Sequence, residues 1–158
     1  GWKADATGGK PADWQVVRDA NAVSAPHVLS IVRINDTARG NFNLFWSPAM
    51  PFHNGSIEVS IRANGGDIDQ GGGLIWRARD ANNYYIARYN PLERNLRLYY
   101  VKDGTRKMLA DAPGLMIGSG EWFALKIAHH GERIQAWLNG KKLIGSAQAR
   151  RAHSETIS

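Results

Sequence analysis

Between Gly71 and Gly104 the chain alternates apolar and polar side chains through three consecutive runs, with short turn signals between them. Asp80-Ala81-Asn82-Asn83 closes one hairpin, Pro91 to Arg94 closes a second, and Asp103-Gly104 starts a third. Pairing residues across these turns separates two faces. Leu74, Trp76, Ala78, Tyr85, Ala87, Tyr89, Leu96, Leu98 and Tyr100 share one. Ile75, Arg77, Arg79, Tyr84, Ile86, Arg88, Arg97 and Tyr99 share the other, with Asn90 and Asn95 at the turn. The apolar face predicts packing against a second sheet. The arginine- and tyrosine-rich face is expected to stay open and to hold a ligand.

The same alternation recurs along the rest of the chain. Ile57, Val59 and Ile61 point one way while Glu58, Ser60 and Arg62 point the other; Phe123, Leu125 and Ile127 repeat the pattern, as do Ile134, Ala136 and Leu138. Further strands are expected over 14–18, 28–33, 42–46, 106–110 and 141–144, with Asn139-Gly140 as a strong hairpin signal. Around ten strands, short polar turns and no convincing helix or repeat predict an all-β fold, an antiparallel β-sandwich of jelly-roll type. The 158 residues fit one domain, with no internal boundary. From about residue 145 the chain turns polar and basic, and no strand is expected there.

Composition narrows the chemistry. No stretch approaches the ~20 apolar residues of a membrane span. Cysteine is absent, which removes disulfides, thiolate metal sites and a cysteine nucleophile. The net charge of +6 favours acidic partners, although charge alone also serves solubility. It is the only support for nucleic acid, because no reader motif accompanies it.

The order of elements carries a resemblance. The segments GGGLIWRARDANNYYIARYN and NLRLYYVKDGTRK are followed by Glu121-Trp122-Phe123-x-Leu125-Lys126-Ile127 and then by Arg133-x5-Asn139-Gly140-Lys141. Over about Trp14 to Ile144 the chain resembles the concanavalin A-like lectin/glucanase superfamily. Within it, the chain looks most like the laminin G-like and 3-keto-disaccharide hydrolase-type domains of exported bacterial proteins. The resemblance implies two stacked, curved sheets that hold glycans on a concave side or at loop edges, and a secreted or periplasmic location. It is specific for fold and weak for function, because one superfold hosts lectins, carbohydrate-binding modules and hydrolases. Relatives usually continue with an acidic turn and further strands where this chain has the polar tail from Gly145 to Ser158. A truncated or frame-shifted gene, or a replaced edge, would leave an unpaired sheet edge open to homodimerisation or to capping by the N-terminal arm.

Candidate binding residues follow from the open face. Arg77, Arg88 and Arg97 form a row whose guanidinium forks suit carboxylates, phosphates or paired sugar hydroxyls. Tyr84 and Tyr99 offer rings for stacking a pyranose, and Asn90 and Asn95 offer amides to its hydroxyls. Trp137, opposite in parity to the inward residues of its strand, is a candidate sugar platform, and Trp46 could line a loop site. Trp76 is expected in the core, and Trp2, Trp14 and Trp122 in packing roles.

Catalytic signals are thinner. Glycosidases need two carboxyls about 5–10 Å apart, and the Glu-x-Asp-x-x-Glu strand signature of the superfamily's retaining glucanases is missing. Glu58 and His53 are the nearest guesses for an enzyme. Asp67 and Asp69 share a loop that could take calcium, but two acids are few for an oxygen-ligand site, so no cofactor is expected. His129 and His130 are adjacent on a strand, point to opposite faces and cannot readily chelate one metal. The reading is a non-catalytic carbohydrate-binding domain for an oligo- or polysaccharide, acidic ones included. A glycoside-acting hydrolase and an adhesion module are the alternatives.

Overall fold

The computed structural model describes residues 1–33, 41–65 and 70–149. Twelve strands occur among them: β1 (Lys3–Ala6), β2 (Asp13–Arg18), β3 (His27–Arg33), β4 (Asn43–Trp46), β5 (Gly55–Arg62), β6 (Gly72–Asp80), β7 (Asn83–Asn90), β8 (Asn95–Lys102), β9 (Thr105–Ala112), β10 (Trp122–His130), β11 (Arg133–Leu138) and β12 (Lys141–Gln148). Two four-stranded antiparallel sheets, ordered β12-β11-β10-β5 and β6-β7-β8-β9, form an all-β sandwich. Two ribbons, β1-β4 and β2-β3, complete the described strands. No helix among the described residues is long and apolar enough to cross a membrane.

Alternation built the core as expected. Trp76, Tyr85, Ala87, Tyr89, Leu96, Leu98 and Tyr100 from one sheet pack against Phe123, Leu125, Ile127, Ile134, Ala136 and Leu138 from the other. The turns obey their sequences. Asp80 Oδ1 accepts from the Asn82 N–H at 2.8 Å and from Asn83 Nδ2 at 2.9 Å, closing the β6–β7 hairpin. Asp103 and Gly104 (φ 50° and 78°) and Asn139 and Gly140 (φ 50° and 80°) adopt the left-handed pairs that two-residue hairpins need.

Three expectations change. β12 continues through the segment expected to lack a strand: it pairs with β11 as far as Gln148, and Ala147 and Ala149 are buried. The small alanines let a polar stretch keep an inward face. β1 was not expected, because Lys-Ala-Asp-Ala has no β-branched or apolar signal, yet it pairs with β4 throughout. Most consequential, the outer face of β6–β9 is not open along its length. Leu44 and Trp46 of β4 pack on Tyr84, Ile86, Tyr99 and Val101, with Phe42, Ile75 and Ala78 around them, as a second core. Ala78 therefore lies on the face opposite to the one the simple alternation assigns.

Candidate functional site

The second core divides the outer face of the β6–β9 sheet into a covered part and a charged part. Tyr84, predicted as a stacking platform, is in the covered part at 1% exposure. Its hydroxyl lies 2.5 Å from Thr7 Oγ1, which itself donates to the Ala81 carbonyl. Burial pushes the phenol up to about 12, against the pull of the Thr7 contact. Tyr84 is thus a buried strut and offers no ring to a sugar. Trp46 is covered in the same way, with its Nε1–H 3.4 Å from Asp5 Oδ2 and the Lys3 ammonium over its ring.

The arginine row exists for two of its three members. Arg88 and Arg97 stand opposite each other on β7 and β8, and Asp111 stands opposite Arg97 on β9. The β6 partner of Arg88 is Gly73. Arg77 sits instead in a bulge, where Arg77, Ala78 and Arg79 stand against Tyr84 alone. Its φ of 49° turns the side chain away, and its guanidinium donates to the His53 carbonyl, at 3.0 Å from Nε. Partial burial lowers its pKa, partly offset by Tyr85. A bulge two residues deep leaves no periodic signature, which is why strict alternation misplaced both Arg77 and Ala78.

Around Arg88 and Arg97 the structure assembles a compact polar cluster. Arg88 is 6% exposed. Its Nη1 donates to Asn95 Oδ1 at 2.8 Å, and its Nη2 donates to Glu93 Oε2 at 2.8 Å and to the Tyr99 hydroxyl at 3.4 Å. Arg97 donates from Nε to Asp111 Oδ1 at 3.3 Å and from Nη1 to the Tyr99 hydroxyl at 3.3 Å, with Glu93 Oε2 3.7 Å from Nη1. The Arg106 guanidinium covers the Tyr99 ring at 4.8 Å. The repulsion between neighbouring arginines is therefore met by two carboxylates, Glu93 and Asp111, that sequence reasoning did not select. Asp111 was legible in principle, since extending the last strand of the meander past Ala110 puts it beside Arg97.

Electrostatics fix the protonation of this cluster. Partial burial pushes the Glu93 carboxyl up, but the Arg88 hydrogen bond and charge, Asn95 and Arg97 outweigh it, and the net shift is downward. The Arg97 pKa is raised, chiefly by the Tyr99 hydroxyl and then by Asp111, against a desolvation cost. Arg88 is the anchored member. Glu93, Arg97 and Asp111 have side chains 47%, 28% and 31% exposed, so they are the groups a ligand can reach.

The remaining candidates have other jobs. Asn90 is fully buried, and its Oδ1 accepts from the Leu92 N–H at 2.9 Å, which shapes the β7–β8 turn. Asn95 is buried and orients Arg88. Tyr99 presents its hydroxyl to the cluster, but its ring is packed beneath Arg106 and Phe42. Trp137 faces outward on the opposite side of the sandwich, between Lys126 and Lys142, and so does Glu58 on β5. His53 is exposed and contributes its carbonyl to Arg77. Neither enzyme candidate joins the cluster as a catalytic pair. Asp67 and Asp69, the calcium candidates, lie outside the described residues. Beside the β7–β8 turn, Pro91, Arg94, Leu115, Met116, Ile117 and Gly118 line a groove of about 170 Å³, below the size of an ordinary small-molecule pocket.

Comparison with known proteins agrees with this architecture. The family model of the 3-keto-alpha-glucoside-1,2-lyase-like domain matches residues 1–157. Among solved structures, the carbohydrate binding module CBM66 from Bacillus subtilis superposes with a TM-score of 0.56 at 21% identity, over 60% of this chain. The chain spans 59% of that module's length. At that identity the likeness speaks for the fold. No curated protein matches.

Proposed function

Since the chain belongs to the 3-keto-alpha-glucoside-1,2-lyase-like domain family, we propose that it is a carbohydrate-binding domain whose site is the Glu93–Arg97–Asp111 cluster. One observation carries this reading. Two arginines and two carboxylates are locked around the Tyr99 hydroxyl on a rigid sheet, half open to solvent. Sugar recognition needs closely spaced donors and acceptors for vicinal hydroxyls. Here Arg97 supplies the fork, and Glu93 and Asp111 supply acceptors on either side of it. Because the side chains already hold one another, little rotamer entropy remains to be lost on binding. The fold likeness to a carbohydrate binding module supports the same reading.

Binding is favoured over catalysis by the state of Glu93. An acyl, glycosyl or elimination step at neutral pH needs a base poised near the working pH. A carboxylate held down by Arg88 and Arg97 is a weak proton acceptor. The natural ligands are neutral saccharides with adjacent free hydroxyls, 3-keto glucosides among them, met outside the bacterial cytoplasm. The test is a glycan array followed by calorimetry on Arg97→Ala and Asp111→Asn. Saturable binding to one glycan class that both variants weaken, with an unchanged melt, supports the assignment. Binding that neither variant changes removes the site, and turnover of a 3-keto glucoside would replace binding by catalysis.

A further inference from the structure

The outer face of the β12-β11-β10-β5 sheet lies on the opposite side of the sandwich from the Arg97 cluster. One register row crosses it: Glu58 on β5, Lys126 on β10, Trp137 on β11 and Lys142 on β12. On β5 and β10 the neighbouring outward positions are small, Ser56, Ser60, Ala124 and Ala128, while Gln135 is the next outward residue on β11. The half-buried indole of Trp137 sits on this face between two lysines. Their ammonium groups lie 5.0 and 5.6 Å from its ring.

Neither ammonium is within ion-pair distance of a carboxylate among the described residues, although Glu58 is the cross-strand partner of Lys126. Arg133, on the same face of β11, spends one donor on the Gly145 carbonyl and adds further positive charge. By contrast, every arginine of the opposite cluster that meets Glu93 or Asp111 is already neutralised. Among the described residues, no strand packs on this face as β4 packs on the other.

We infer that the Lys126–Trp137–Lys142 face is a second binding site, for an anionic polysaccharide carrying carboxylate or sulfate groups. A cation over a partly exposed aromatic ring is held more weakly than one hydrogen-bonded to an anion. An incoming carboxylate or sulfate can therefore draw each ammonium off the ring. The indole face so released is apolar and flat, and matches the C–H face of a sugar ring. The fixed spacing of β10, β11 and β12 sets charge, ring and charge in line, which suits a linear polymer with a repeating acidic residue. This site is independent of the Arg97 cluster, because the two sheets and the core separate them.

The test measures binding of polygalacturonate, heparin and uncharged dextran to the intact chain by affinity electrophoresis and calorimetry. The expected result is binding of at least one of the two polyanions and not of dextran. Lys126→Gln with Lys142→Gln should lower that affinity about tenfold, the sum of two exposed charge contacts. Trp137→Ala should lower it as well, whereas Lys107→Gln, on an exposed edge of the other sheet, should not. Arg97→Ala should leave it unchanged, so that failure here is distinct from failure of the neutral-glycan site. Unchanged thermal melts show that the variants fold. Absence of polyanion binding, or equal losses in Lys107→Gln and the double variant, overturns the inference. Equal competition by single-stranded DNA of matched charge also overturns it, since the face would then read charge without the sugar.

Discussion

His129 should make the fold acid-labile in a window set by one imidazole. The ring is fully buried on β10 between Trp76 and Tyr85, and its Nδ1 accepts from Trp76 Nε1–H at 2.9 Å. Protonating Nδ1 would break that bond and place a charge inside the core. Burial is the main cause of a pKa lowered to about 4, with Arg77 and His130 adding to it and a Gly131 backbone contact opposing it. The unfolded chain titrates at the ordinary value of 6.5. Because the folded value is the lower one, His129 costs nothing above pH 6.5. As the pH falls below it, the unfolded chain gains the proton first and stability declines, until the native ring protonates near pH 4. At 1.36 kcal/mol per unit, the loss across the window is about 3 kcal/mol. Urea unfolding of wild type and His129→Gln at several pH values between 7.5 and 4 measures it, since glutamine keeps an acceptor for Trp76 and cannot titrate. Glu93 and Asp80 also lose their stabilising ionisation on acidification, but both proteins carry them and the difference cancels that effect. The wild type should lose about 3 kcal/mol relative to the variant. Parallel curves would refute the reasoning, and so would an NMR titration of the His129 ring with a midpoint near 6.5.

Four further outcomes follow from the packing around the two cores. Tyr84→Phe removes the Thr7 contact and should cost about 1 kcal/mol in urea unfolding, with glycan binding intact. In wild type, one tyrosine should ionise late, near pH 12, in a spectrophotometric titration. Gly73→Ala drives a Cβ into the Ala87 carbonyl oxygen, so β6 must shift away from β7; circular dichroism should show a loss above the roughly 1–3 kcal/mol of ordinary overpacking. Arg88→Ala should lower the melt by about 4–8 °C, for a loss of about 2 kcal/mol, while Arg97→Ala, on a more exposed pair, should cost under about 1 kcal/mol. An Arg88→Ala melt equal to wild type would mean that Arg88 only binds ligand.

The sandwich was legible because its two inner faces are written in strict alternation. Leu125, Ile127, Ile134 and Leu138 could belong to no other face once the turn at Gly131, between β10 and β11, set their register. The site was legible only in part. Arg88 and Arg97 fell on one face because β7 and β8 pair without interruption from Tyr84 to Asn90. Arg77 did not join them, because β6 breaks register after Trp76. Two extra residues restore the parity beyond the bulge, so the misassignment stays local to Arg77 and Ala78, and the bulge is invisible until the partner strand is seen.

The covered half of the arginine face had a signal of its own. Ile75, Ile86 and Val101 fall on that face, and a row of aliphatic side chains is out of place on a sheet surface left to water. Burying each is worth about 1.5–3 kcal/mol, which is enough to recruit a third layer. The recruit is Asn43-Leu44-Phe45-Trp46, whose alternate positions Leu44 and Trp46 form a short apolar face of the right length. β1 then pairs with its free edge, although Lys3-Ala4-Asp5-Ala6 carries no strand signal. Backbone pairing requires no particular side chains. The length of β4 also explains where the site lies. Its four residues cover the rows of Tyr84, Ile86 and Tyr99, and the row of Arg88, Arg97 and Asp111 is left to solvent and to one another.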